Sequence, residues 1–205
     1  MNTYTSQRGY SLIEVLIALT ILMIAIVAPI TIAVKSIESS RYTLEQNTAV
    51  FLAQETISMI DAWRNQYALI NFNQGEFSDE APYWNDWVHD LDKCRSSSGD
   101  GCNFDAEDPL TVLDDPNNKI IPCNADGENC RLYYKEDWPY STYRVINTDG
   151  GEPSPYIRRV YLDELDDGHM TIRTVVEWET DFESDVQQVS VTSALYNTYG
   201  SSFVQ

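Results

Sequence analysis

Between Val15 and Val34 the 205-residue chain contains no charged side chain. As an α-helix rising about 1.5 Å per residue, that stretch crosses the roughly 30 Å hydrocarbon core of a bilayer. It predicts a membrane-spanning helix. A secretory signal peptide has a shorter apolar core, about 7 to 15 residues, ending in a small-residue cleavage site; this run is longer and stops at Lys35 without one. Glu14 complicates the pattern. It sits one position before the run, follows Leu12 and Ile13, and has no basic residue three or four positions on to neutralise it. A carboxylate well inside a membrane costs roughly 2.5 to 3.5 kcal/mol on insertion scales, so Glu14 either snorkels to the interface or meets a cation from another molecule.

The segment Arg8-Gly9-Tyr10-Ser11-Leu12-Ile13-Glu14-Val15-Leu16 joins a short polar leader ending in glycine to an aromatic residue, a small hydroxyl residue, two aliphatics, a glutamate and the apolar run. In this it resembles the N-terminus of type IV pilins and the related pseudopilins. The resemblance covers roughly residues 7 to 34. It implies that a membrane-embedded prepilin peptidase cuts between Gly9 and Tyr10 and methylates the new terminal amine. It also implies that Glu14 pairs with the N-terminal amine of a neighbouring subunit when the helices bundle into a filament, which supplies the cation missing from the local sequence. The match has two departures: Tyr10 stands where the family usually has Phe, and Arg8 is the only basic residue of a leader that commonly has more. A plain signal anchor fits the hydropathy equally well, but it requires neither Gly9 nor Glu14.

Charge is distributed unevenly. Of the 32 acidic residues only Glu14 precedes residue 36, and of the 13 basic residues only Arg8 and Lys35 do, so the part beyond the membrane carries a net charge of about −20. Such a surface repels phosphate backbones, so direct nucleic-acid binding is not expected; cations and basic partners are favoured, and the acidity also solubilises an exposed protein. The four cysteines, Cys94, Cys102, Cys123 and Cys130, all fall in the middle of this region. Pairing within each neighbouring couple closes two small loops, while the other two connectivities stay open. No C-x-x-C spacing occurs, which argues against a zinc cluster. Disulfides require an oxidising compartment and therefore agree with an exported head. Arg8 on one flank of the span against Lys35 and Arg41 on the other gives no positive-inside bias, so the outward head rests on the resemblance and the cysteines.

Pro29 interrupts the apolar helix, and the loss of one backbone donor leads either to a kink near Ala25 to Pro29 or to a proline tolerated within a lone membrane helix. From Ser36 to about Tyr67 the pattern is amphipathic, with Ile37, Leu44, Phe51, Leu52, Ile57, Ile60, Trp63 and Tyr67 near helical spacing. The two halves predict one helix of about 58 residues, roughly 87 Å if straight. From Asn71 to about Tyr140 the chain is acidic, aromatic and rich in turn residues. SSSGDG, DDPNN and NADGEN mark loops that disulfides would staple. Three loops approach the EF-hand spacing. The one around Asp100-Gly101 reaches Glu107 but starts on serines; that of Asn124, Asp126 and Gly127 starts on Pro122; that of Asp163, Asp167 and Gly168 puts Leu165 and Thr174 at ligand positions. None completes the pattern. No cofactor is expected, although the dense acidic loops leave room for calcium outside that pattern. The last third alternates with period two over Tyr143–Asn147, Ile157–Leu162, Met170–Glu179 and Val186–Tyr196, which predicts four strands. In the third strand Ile172, Thr174, Val176 and Trp178 share a face; in the fourth Val189, Val191 and Leu195 do.

His89 and His169 lie in unlike segments beside acidic residues, and no G-x-S-x-G, P-loop or H-E-x-x-H occurs, so nothing announces an active site. The expected fold is α+β: a pilin-like fold in which a long N-terminal helix, membrane-spanning in its first half, packs on a C-terminal antiparallel four-stranded sheet. The expected division is a leader at 1–9, a membrane or filament-core helix at 10–35, and a head at 36–205. Within the head come an amphipathic helix at 36–67, disulfide-stapled loops at 71–140 and a β-meander at 141–198. The resemblance implies a non-enzymatic filament subunit, held in the cytoplasmic membrane with its head exported and then incorporated in a pilus at the cell surface. Its partners would be other pilin subunits, the prepilin peptidase and the pilus assembly platform. The bulky acidic insert favours a minor subunit. The alternatives are a pseudopilin of a secretion or DNA-uptake machine and a membrane-anchored extracellular enzyme or binding domain.

Overall fold

A computed structural model of the protein describes residues 11–74, 82–95, 99–104, 120–137, 140–144, 151–166, 169–180 and 185–197. The chain forms two compact units, residues 1–44 and 45–205. Helix α1 (Leu12–Gln74) begins in the first and ends in the second, and it continues without interruption through Pro29. Within the first unit its apolar side chains have no protein cover: the most hydropathic window is entirely unburied, and the helix is long and apolar enough to cross a membrane. Water would not tolerate that much exposed aliphatic surface, which marks this half for lipid or for other apolar helices.

In the second unit α1 turns Ala49, Leu52, Ala53, Thr56, Ile60, Trp63 and Ala68 inward, at the three- and four-residue spacing of one helix face. Of the large apolar residues expected on this face, Leu52, Ile60 and Trp63 are buried and Tyr67 packs against the core. Ile37, Leu44 and Phe51 are 57%, 64% and 70% exposed. The contact alternates the buried large residues with alanines, whose small side chains admit a close neighbour. Helix α2 (Pro82–Asp90) opens on proline at its first position, where the missing N–H has no helical partner to lose, and runs into a 3₁₀ turn at Leu91–Cys94.

Among the described residues seven strands form one antiparallel sheet: β1 (Cys102–Phe104), β2 (Ile120–Pro122), β3 (Arg131–Asp137), β4 (Tyr140–Arg144), β5 (Glu152–Asp166), β6 (His169–Trp178) and β7 (Gln187–Tyr196). The long helix on an antiparallel sheet is the α+β class expected, but two details of the sheet differ. Three strands, β1 to β3, lie where loops were expected, because cysteines and turn residues on either side of short runs such as IIP and RLYYKED hide their alternation. The meander is confined to β5, β6 and β7; β4 pairs with β3, which lies between it and β5. Of the expected strand at Tyr143–Asn147, residues 145–147 lie outside the described residues. One edge of β5 is taken by β6 and the other by β3 and, at Val160, by β1. The β3–β5 register shifts between Arg131 and Tyr133, opposite the stretch that holds Pro153 and Pro155, as expected where residues lack a backbone donor.

Two apolar clusters fill the space between helix and sheet. One joins Ala49, Leu52 and Ala53 to Leu132, Tyr156, Val176 and Trp178. The other surrounds Ile60 and Trp63 with α2, the first disulfide and the far ends of β5 to β7. There the Trp63 ring meets Trp87 edge-on at 5.9 Å between centroids and Phe104 at 6.2 Å, the arrangement that aromatic quadrupoles favour. As expected, Ile172, Thr174, Val176 and Trp178 all face inward. The hydroxyl of the buried Tyr156 donates to the Glu45 carbonyl at 3.3 Å; burial, which disfavours the phenolate, pushes its pKa up to about 12.

Two predictions test this packing. Ala53→Leu, an apolar-for-apolar change, destabilises the head by about 1–3 kcal/mol through overpacking, whereas Phe51→Ser stays within about 0.5 kcal/mol, both read from chemical denaturation. Because the Tyr156 pKa is raised in the folded state, its contribution is complete below the unfolded value near 10 and is lost as pH rises toward about 12. Denaturation of wild type and Tyr156→Phe across that window shows a shallower alkaline loss for the variant.

Candidate functional site

Glu14 lies in the first turn of α1. Ser11 caps that turn, its carbonyl accepting from the backbone N–H of Glu14 at 2.9 Å and of Val15 at 3.3 Å. The Glu14 side chain is exposed, and no ion pair reaches it among the described residues. Gly9 and Tyr10, the expected cleavage and methylation positions, lie outside the described residues. The structure therefore presents a carboxylate at the head of an uncovered apolar helix.

The head carries a second constellation, centred on its disulfides. Cys94 pairs with Cys102 and Cys123 with Cys130, the two-loop arrangement among the three connectivities open from sequence. Adjacent arginines of β5 work on opposite faces of the sheet, Arg159 on the loops themselves and Arg158 on the strand β1 that follows the first of them. Arg158, completely buried, donates from Nε to the Asn103 side chain at 2.9 Å and from Nη2 to the Phe104 carbonyl at 2.9 Å. Its Nη1 reaches the Leu52 carbonyl at 3.4 Å and the Glu55 carboxylate at 3.3 Å. Arg159, on the other face, donates to the carbonyls of Asp100, Asn124 and Ala125 at 3.0–3.2 Å. Asn103 closes the set with a bond to the Cys130 carbonyl at 3.1 Å. Gly101 and Gly127 permit the close approach: both have positive φ, and a Cβ would stand 2.7 Å from the Val160 carbonyl oxygen at the first and 2.6 Å from Arg159 Nη2 at the second.

Sequence reasoning passed over Arg158, Arg159 and Asn103. The available clue was the pair of adjacent arginines inside a strand, since alternation sends one of two neighbours inward.

Near the second loop, a cleft of about 430 Å³ is lined in part by Asp126, Glu128, Arg131, Glu177 and Glu179. The Arg131 guanidinium grips both Glu128 oxygens, at 2.6 and 3.2 Å, and this hydrogen bond holds the Glu128 carboxyl below its usual pKa. Arg159 stands 3.6 Å from Glu177. Among the described residues, no group of three or more His, Cys, Asp or Glu side chains is placed to hold a metal. Glu107, Asp167 and Gly168 of the loops that approach the EF-hand spacing lie outside the described residues. The histidines have separate partners: His89 is exposed beside Asp92 at 3.3 Å, and His169 stacks on Tyr196.

Residues 4–28 match the prokaryotic N-terminal methylation motif, the class III leader of type IV pilins and pseudopilins. No curated protein and no solved structure matches the chain. The motif supports a pilin-like or pseudopilin-type protein and points toward a structural role. It implies processing by prepilin peptidase and assembly with other pilins. Together with the apolar helix, it supports a membrane-anchored chain.

The cross-linked loops stabilise the head by restricting its unfolded chain. Replacing both Cys94 and Cys102 by serine, which opens a loop with a sequence separation of 8, costs about 2–3 kcal/mol, measured by denaturation of oxidised wild type against the double variant.

Proposed function

We propose that the chain is a minor subunit of a type IV pilus or a related filament. Prepilin peptidase cuts after Gly9 and methylates Tyr10, and the mature protein waits in the cytoplasmic membrane with its head exported. The assembly platform then moves it into a filament held together by bundled N-terminal helices. In the bundle, Glu14 faces the terminal amine of a neighbouring subunit. One coincidence carries this reading: the methylation motif at residues 4–28 leads into an uncovered apolar helix whose first turn bears a carboxylate with no ion-pair partner among the described residues. An acid transferred into an apolar bundle needs a cation close by, and cleavage creates one four residues before it. Export is supported independently by the two disulfides, which persist in oxidising compartments. The minor role is supported by the acidic, cross-linked stretch that follows the long helix and contributes β1 to β3 to the sheet, which is bulky for a densely repeated lattice. The head's negative charge speaks against direct binding of nucleic acid.

Two variants test the reading in cells that assemble the filament. Gly9→Leu leaves the protein uncut, heavier by the whole leader, whereas the wild type yields an N-terminally methylated Tyr10; normal maturation of Gly9→Leu would refute processing at this site. Glu14→Ala is cut normally but enters filaments about tenfold less, equivalent to roughly 1.4 kcal/mol. Undiminished incorporation would count against the amine pairing.

A further inference from the structure

Strand β7 pairs with β6 and, among the described residues, with no other strand. Its ladder runs from His169↔Tyr196 to Trp178↔Gln187 without a register shift. The outer rim of such a strand presents backbone donors and acceptors that recruit another strand unless something deters it. Natural edges are protected by lysines, prolines, bulges or shortness. Here none of these devices is present: QQVSVTSALY spans 10 residues with no charge and no proline. By contrast, β2 has 3 residues and ends in Pro122, and β4 has 5 and ends in Arg144. All 32 acidic and 13 basic residues of the chain precede Val186.

We propose that the outer edge of β7, over Gln188–Leu195, pairs antiparallel with the same edge of a second copy of this chain. Charge argues for this occupant. Heads with a net charge of about −20 repel wherever their carboxylates face one another, and the Gln188–Leu195 stretch of β7 carries no charged side chain of its own. The Arg64 guanidinium reaches only the Tyr196 carbonyl at its end, at 3.3 Å. Symmetry argues for it as well. A two-fold axis perpendicular to the sheet reverses the strand but keeps each face where it was, so the contact is self-complementary. The exposed Gln188, Ser190, Thr192 and Ala194 of one copy then lie beside the same set in the other, and the half-buried Val189, Val191 and Ser193 extend the inner face. Small and β-branched neighbours of this kind suit cross-strand pairing. The contact goes beyond the filament reading and depends neither on leader cleavage nor on helix bundling.

The full-length chain, carrying two different affinity tags and purified in detergent, provides the test. Wild-type copies co-isolate. Thr192→Lys, at an exposed position, lowers co-isolation about tenfold by placing like charges across the axis, while mixing Thr192→Lys with Thr192→Glu copies restores it. Restoration also shows that both variants fold. If association runs through the apolar helices instead, co-isolation is insensitive to residue 192 and the proposal is overturned. Failure of the wild-type copies to co-isolate overturns it too; β7 amides protected from exchange at every dilution would then assign the edge to residues of the same chain.

Discussion

A guanidinium with no access to water lies at the centre of the head. Arg158 can remain charged there because each of its nitrogens finds an oxygen: carbonyls of α1 and β1, the Asn103 amide, and the Glu55 carboxylate. Moving such a charge out of water costs several kcal/mol, which the attraction and the hydrogen bonds recover only if the geometry is complete. That requirement couples three distant pieces of chain. The turn of α1 around Leu52, the short strand β1 and the middle of β5 have to arrive together, and misplacing any of them strands a buried charge.

The rest of the head follows from that coupling. Asn103 serves Arg158 through its oxygen and the second disulfide loop through its nitrogen, so the buried charge and the cross-linked loops form one network. Arg159 does for the outer face what Arg158 does for the inner one, gathering three carbonyls from two turns. Apolar packing supplies the bulk of the contact on either side, with alanines of α1 beneath the Tyr156 and Trp178 cluster and tryptophans around Trp63. The polar seam is imperfect. Thr174 and the indole nitrogens of Trp63, Trp87 and Trp178 are buried without a hydrogen-bond partner among the described residues, a cost that the surrounding apolar burial offsets.

The first half of α1 obeys a different rule. Nothing in the unit to which it belongs covers its aliphatic surface, so its environment must come from outside the chain, first lipid and then, in the proposed filament, other helices of the same type. Its backbone donors and acceptors are satisfied within the helix, which is what permits an apolar segment to exist in either setting. The carboxylate of Glu14 is the exception, and it gives that surface an orientation and a partner requirement that hydropathy alone would not.

Much of this was legible in the residues themselves. The apolar run, the Gly9-to-Glu14 spacing, the charge asymmetry and the alternation of β6 depend on near neighbours in the chain, and local periodicity reports them faithfully. The inner face of α1 was legible at Leu52, Ile60 and Trp63 but not at Ala49 and Ala53, which acquire their importance only from what packs against them, while the bulky Phe51 lies outside it. Strands β1 to β3 escaped notice for a related reason: three- and seven-residue runs between cysteines and turns become strands only when β5 supplies the partner for β1 and β3, and β1 in turn for β2. By itself the sequence determined the membrane-length helix, its leader and the α+β character of the head. Only the tertiary structure decided the disulfide pairing, the insertion of β3 between β4 and β5, and the burial of Arg158, since each depends on groups that meet across 7 to more than 100 residues of chain and no local pattern encodes such encounters.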